Sequence, residues 1–123
     1  MKQILFVFLL FPFMIWSQSD FDKGKKLFEA DKMEQAQSVF EAFLAANPSH
    51  LKTIEYLGDI AAHNKSWDKA IGYYKKLKQL KPSEANYYYK YGGALGLKAK
   101  EVNKFKALGM IGEIKESFEK AIV

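Results

Sequence analysis

"WDKAIGYYKKLKQLKP", residues 67–82, sets a tryptophan and two tyrosines among five lysines and closes on a proline. By charge it is a basic aromatic patch. By period it is a helix face: Trp67, Ala70, Ile71, Tyr74 and Leu77 recur at helical spacing, with Lys69, Lys75, Lys76, Lys78 and Lys81 around the solvated side. The period decides between the two readings, because the same apolar face recurs elsewhere in the chain.

Working outward, Gly24, Gly58 and Gly92 are 34 residues apart, as are Ala36 and Ala70, Phe40 and Tyr74, and Pro48 and Pro82. Leu27, Ala61 and Leu95 follow the same offset, with Phe43 and Leu77, and Met33 and Trp67. Several columns sharing one period, each keeping its physical type, mark a repeat rather than a coincidence. Each unit reads as two helices. In the second, Ile54, Leu57, Gly58, Ala61 and Ala62 form the first stripe, "HNKS" supplies the turn, and Ser66 stands where it can cap the second helix. Pro82 ends the unit, and Ser83 is the expected cap of the next helix. The first unit repeats this pattern, with helices expected near residues 20–30 and 33–46, a "DK" turn and an "NPS" break. The small residues have a mechanical purpose: glycine on the first helix and alanine on the second let two backbones approach, and the aromatic fills the space beside them.

Small residues at the eighth and twentieth positions of a 34-residue unit, an aromatic at the twenty-fourth and a proline at the thirty-second resemble the tetratricopeptide repeat. Here those positions are Gly24, Ala36, Phe40 and Pro48, then Gly58, Ala70, Tyr74 and Pro82, and Leu57–Gly58 matches the family's leucine–glycine step. Lys23 precedes the first glycine, a departure that suits a terminal repeat with a more polar outer face. The resemblance implies an all-α fold, a right-handed α-solenoid of helix-turn-helix units over about 18–48, 51–82 and 85–123. It also implies a groove lined by the first helices that takes a protein or peptide segment. Carried over by position, the groove holds Phe21, Lys25, Phe28 and Glu29, then Lys52, Glu55, Asp59 and His63, then Asn86 and Tyr89. The lysine and asparagine set with which chaperone-binding members clamp a terminal carboxylate is not reproduced, and Glu55 and Asp59 are expected to repel one.

The third unit loses register. Tyr88, Tyr91, Gly92 and Leu95 fit a first helix, but the expected alanine, aromatic and proline positions hold Lys104, Leu108 and Glu116. A shift of ten residues restores Ile114, Phe118 and Ala121, so an insertion is expected near 99–109 as an extra helical turn or two, with Gly109 and Gly112 making its exit flexible or closely packed. Ile111, Ile114, Phe118 and Ile122 then form a final stripe with no later helix to cover it, which raises two expectations: a longer parent chain, or self-association through this helix.

At the other end, "MKQILFVFLLFPFMIWSQS" places one lysine before an apolar run from Ile4 to Trp16 and then turns polar, the pattern of a secretory signal peptide over residues 1–17. Export to a periplasmic or secreted location is expected, with cleavage after Ser17. The run is shorter than the roughly 17 to 25 residues a membrane-spanning helix needs. The chain has no cysteine, hence no disulfide, no cysteine metal site and no thiol for lipid attachment.

Without Lys2 the chain keeps 18 of its 19 lysines against 14 acidic residues, a net charge of +4 against +5 for the whole sequence. It has no arginine, and specific readers of nucleic acid depend on the arginine fork. Nucleic acid is therefore not an expected partner. His50 and His63 lack neighbours for a triad or a metal site, Glu55 and Asp59 are one helical turn apart, and "YGGALG" has no strand before it. No catalysis, metal or cofactor is expected. The leading expectation is an exported scaffold for protein or peptide partners; the alternatives are a lysine-rich binder of anionic envelope polymers and the adaptor part of a larger protein.

Overall fold

A computed structural model describes residues 16–123, with side chains from Asp20 onward. The expected signal peptide falls mostly outside these residues. Six helices run through them: α1 (Trp16–Glu29), α2 (Met33–Ala46), α3 (Leu51–His63), α4 (Trp67–Leu80), α5 (Ala85–Glu101) and α6 (Lys104–Ile122). No helix among the described residues is long and apolar enough to cross a membrane. The chain divides into two compact units at Asn47 and Pro48.

The first unit is the hairpin of α1 and α2. Ala36 and Phe40 are fully buried on α2, and a Cβ added to Gly24 would stand 2.7 Å from the Phe40 ring. That distance is why the column holds glycine: the ring occupies the space a side chain would need. Phe21 adds tilted ring contacts to Phe40 at 5.9 Å and Phe43 at 5.7 Å between centroids. Because α1 begins at Trp16, earlier than the sequence suggests, the expected cleavage point after Ser17 lies in its first turn.

The second unit stacks two hairpins, α3 with α4 and α5 with α6, joined by packing of α4 on α5. Its core holds Ile54, Ile60 and Leu77, all essentially inaccessible. A Cβ on Gly58 would lie 2.5 Å from Tyr74, and one on Gly92 would lie 3.0 Å from Ser117 Cβ and 3.3 Å from Phe118. Phe118 therefore takes in the third hairpin the place of Phe40 and Tyr74, ten residues later than the period alone would put it. The extra residues lengthen both helices: α5 has 17 residues against 13 in α3, and α6 has 19 against 14 in α4. Gly109 and Gly112 lie inside α6, where a Cβ on either would meet nothing within 4 Å, so they form neither a flexible exit nor a closely packed one.

Local chemistry explains the boundaries. Asp31 and Lys65, 34 residues apart, both adopt left-handed backbone (φ 61° and 57°). Each closes a Schellman turn: Lys32 N–H donates to Leu27 O and Asp31 N–H to Phe28 O, as Ser66 N–H does to Ala61 O and Lys65 N–H to Ala62 O. The caps differ from the sequence reading. Ser66 precedes α4 without a side-chain cap bond, and Glu84 rather than Ser83 stands at the cap of α5. His50 caps α3, its Nδ1 accepting from Thr53 N–H at 3.3 Å, and Asn103 caps α6 by accepting from Lys106 N–H at 2.9 Å.

Candidate functional site

In the second unit, α3 and α5 carry neighbouring polar side chains that the helical period aims to one side. Glu55 and Asp59 are one turn apart on α3, and Lys90 reaches both from α5. Its ammonium donates to Glu55 Oε1 at 3.0 Å and to the two Asp59 oxygens at 2.9 and 2.8 Å. Tyr74, from α4, donates its hydroxyl to Asp59 Oδ1 at 2.7 Å, and Lys52 lies 3.7 Å from Glu55. Burial opposes the charge on Lys90, but its hydrogen bonds to Asp59 and Glu55 outweigh it and hold the ammonium above the usual lysine range. Burial, followed by the bond to Asp59, pushes the Tyr74 phenol well up.

Two lysines and two carboxylates thus balance one another, and the repulsion of an incoming carboxylate expected from Glu55 and Asp59 is offset by Lys90 between them. The hollow beside them, lined by Lys52, Glu55, Tyr56 and Asp59, measures about 90 Å³. That is well below the roughly 300 Å³ at which small-molecule sites begin. An extended segment lying across the face fits this surface better than an enclosed ligand does. Among the described residues no group of three or more histidine and acidic side chains is placed to hold a metal.

The other expected groove residues divide into two groups. Asn86 and His63 are exposed, and Tyr89 is 62% exposed on α5, its ring 6.2 Å from that of Phe118. In the first unit Lys25 and Glu29 are exposed and Phe28 is half-buried. Phe21 is occupied with the α2 rings rather than offered to a partner. Lys90 and Tyr56 escaped the sequence reading. The available signal was the period itself, since residue 90 lies 34 after residue 56, in the column between Glu55 and Asp59.

Two lysines of the opening stretch, Lys76 and Lys78, are less solvated than expected, and Lys78 has packed partners. Lys78 is half-buried, its Nζ 3.6 Å from the centre of the Tyr91 ring and 5.4 Å from that of Tyr88. Burial lowers its proton affinity. Tyr91 in turn donates its hydroxyl to Glu113 on α6. Lys78 is therefore part of the packing of α4 on α5.

Comparison with known proteins follows the same line. The tetratricopeptide repeat family profile matches residues 21–85, more than half of the chain. A thermophilic TPR protein of Thermus thermophilus has a similar structure, with TM-score 0.74 and 17% identity over 85% of this chain and 55% of that one. MamA follows with TM-score 0.70 and 23% identity, over 86% and 56% of the two chains. The second TPR of Spaghetti, bound to the HSP90 peptide SRMEEVD, gives TM-score 0.68 and 19% identity over 86% and 89%. The chain thus spans little more than half the length of the first two. No curated protein matches it.

Proposed function

The chain belongs to the tetratricopeptide repeat family, of the all-α solenoid class, and from that premise we propose that it is a non-catalytic interaction module that holds an extended protein or peptide segment against α3 and α5. The observation that carries this reading is the pairing of exposed Tyr89 and Asn86 with a charge-balanced Lys90–Glu55–Asp59 network on neighbouring first helices. The network holds its own polar groups in place, and the open aromatic beside it supplies the kind of anchor on which interfaces concentrate their energy. The peptide held by the second TPR of Spaghetti is an example of such an occupant in the same fold. We also propose export, supported by the apolar run Ile4–Trp16 and the polar residues that follow.

Selection from a displayed peptide library tests the interaction reading with no partner chosen beforehand. Enriched peptides should lose about tenfold or more in affinity to Tyr89→Ala or Asn86→Ala. They should be indifferent to Gln79→Ala on the exposed part of α4. A selection that enriches nothing, or peptides that ignore both α5 substitutions, would overturn it. Peptides held by groove contacts should also survive added salt, whereas attraction of an anionic polymer to lysine faces should fade steeply.

A further inference from the structure

Helix α6 turns residues inward along its second half and carries a separate outward apolar stripe along its first. Ile114, Ser117, Phe118 and Ala121 turn inward and are buried or half-buried. Phe105 and Leu108 point away from that face, 89% and 64% exposed, followed by Ile111 at 54%. Gly109 and Gly112 share the outward side, and a Cβ on either would meet only open space. Positions 105, 108, 109 and 112 have the i, i+3, i+4, i+7 spacing of a second stripe, one that nothing in the unit covers.

Around the first turns of this stripe the charge is mainly positive. Between residues 98 and 112 the chain has four lysines and a single acid, Glu101. Lys98 is spent on Asp68. Lys100, Lys104 and Lys106 are exposed, with Lys104 and Lys106 on either side of Phe105. The hairpin also projects: α5 starts in register with α3 and runs four residues longer, about 6 Å at the helical rise.

We propose that the α5–α6 tip is a docking point for an anionic lipid surface, with Phe105 and Leu108 entering the headgroup boundary and Lys100, Lys104 and Lys106 resting on the lipid charges. The chemistry is that of interfacial helices, whose apolar residues sink roughly 5 to 10 Å while lysines stay at headgroup level. A second copy fits less well. Three exposed side chains offer on the order of a few hundred Å², against about 800 Å² per partner in a stable interface, and each copy would bring the same positive rim.

The absence of cysteine makes the test direct. In the full 123-residue chain, an environment-sensitive NBD label is placed at Phe105→Cys and, as control, at Gln79→Cys on α4, with helical circular dichroism confirming that each is folded. Phosphatidylcholine vesicles containing phosphatidylglycerol should shift the label at 105 to the blue and brighten it several-fold. Pure phosphatidylcholine should not, and the label at 79 should remain in water with either. Lys100→Gln/Lys104→Gln/Lys106→Gln should raise the lipid needed for half of the response roughly a hundredfold, at about fivefold per lysine. Binding through the apolar N-terminal run alone would leave the label at 105 in water, and that result would overturn the proposal. A label at 105 that is already dehydrated without lipid, in a species sedimenting as a dimer, would overturn it in favour of a second copy.

Discussion

Among individual residues, the glycines show how finely one spacing is set. Gly58 leaves room for a Tyr74 ring that is 3% exposed and tied to Asp59 by its hydroxyl. A methyl group 2.5 Å from that ring must move it. Gly58→Ala should therefore destabilise the protein by about 1 to 3 kcal/mol, the cost of overpacking a fitted contact. Gly93→Ala on α5, with nothing within 4 Å of the new methyl, should stabilise by up to about 1 kcal/mol through helix propensity. Urea denaturation of the two variants checks both signs, and equal effects would refute the close-approach account of the 34-residue column. The left-handed residues give a second test. Lys65 carries a side chain where glycine has no steric cost, so Lys65→Gly should raise stability by up to about 1 kcal/mol. A thermal melt of that variant shifted downward would contradict it.

For the elements, the stacking of α5 beside α3 is held in part by titratable groups, and this makes it sensitive to alkali. Lys90 and Tyr74 both bind their protons more tightly in the folded protein. A group whose folded pKa is raised contributes fully below its unfolded value, near pH 10 for tyrosine and lysine, and the contribution disappears as pH climbs through the folded value. The native protein should therefore lose stability above about pH 10, and Lys90→Met/Tyr74→Phe should show a shallower loss there. Denaturant midpoints measured on both sides of that pH decide the matter; parallel curves would mean the network does not couple to folding. The single change Lys90→Met should cost about 1 to 3 kcal/mol at neutral pH, less than for a fully buried pair because water still reaches the site. This network was only half legible along the chain. Glu55 and Asp59 were marked by helical position, but Lys90 lies on another hairpin, and only the stacking of α5 against α4 brings it within reach.

For the molecule as a whole, the proposed export makes the largest claim. Mass spectrometry of the protein recovered outside the cytoplasm should find a chain beginning near Gln18, lighter by the seventeen residues before it. Recovery of intact Met1 on a membrane-bound form would refute cleavage. The sequence by itself determined the repeat, because close packing of glycine, alanine and an aromatic at one spacing can be written only one way along a chain. It determined the pairing of helices into hairpins for the same reason. Where the period broke, it determined less. Extra helical turns were legible, but nothing local says how ten added residues divide between the end of α5 and the start of α6. Tertiary packing chose the helices by seating Phe118 against Gly92. It also chose which lysines are packed and which are exposed: half-buried Lys78 and Lys90 have packed partners, while Lys104 and Lys106 point into water. A lysine reads the same in any sequence, and only the neighbours supplied by another helix decide whether its charge is used within the protein or offered outside it.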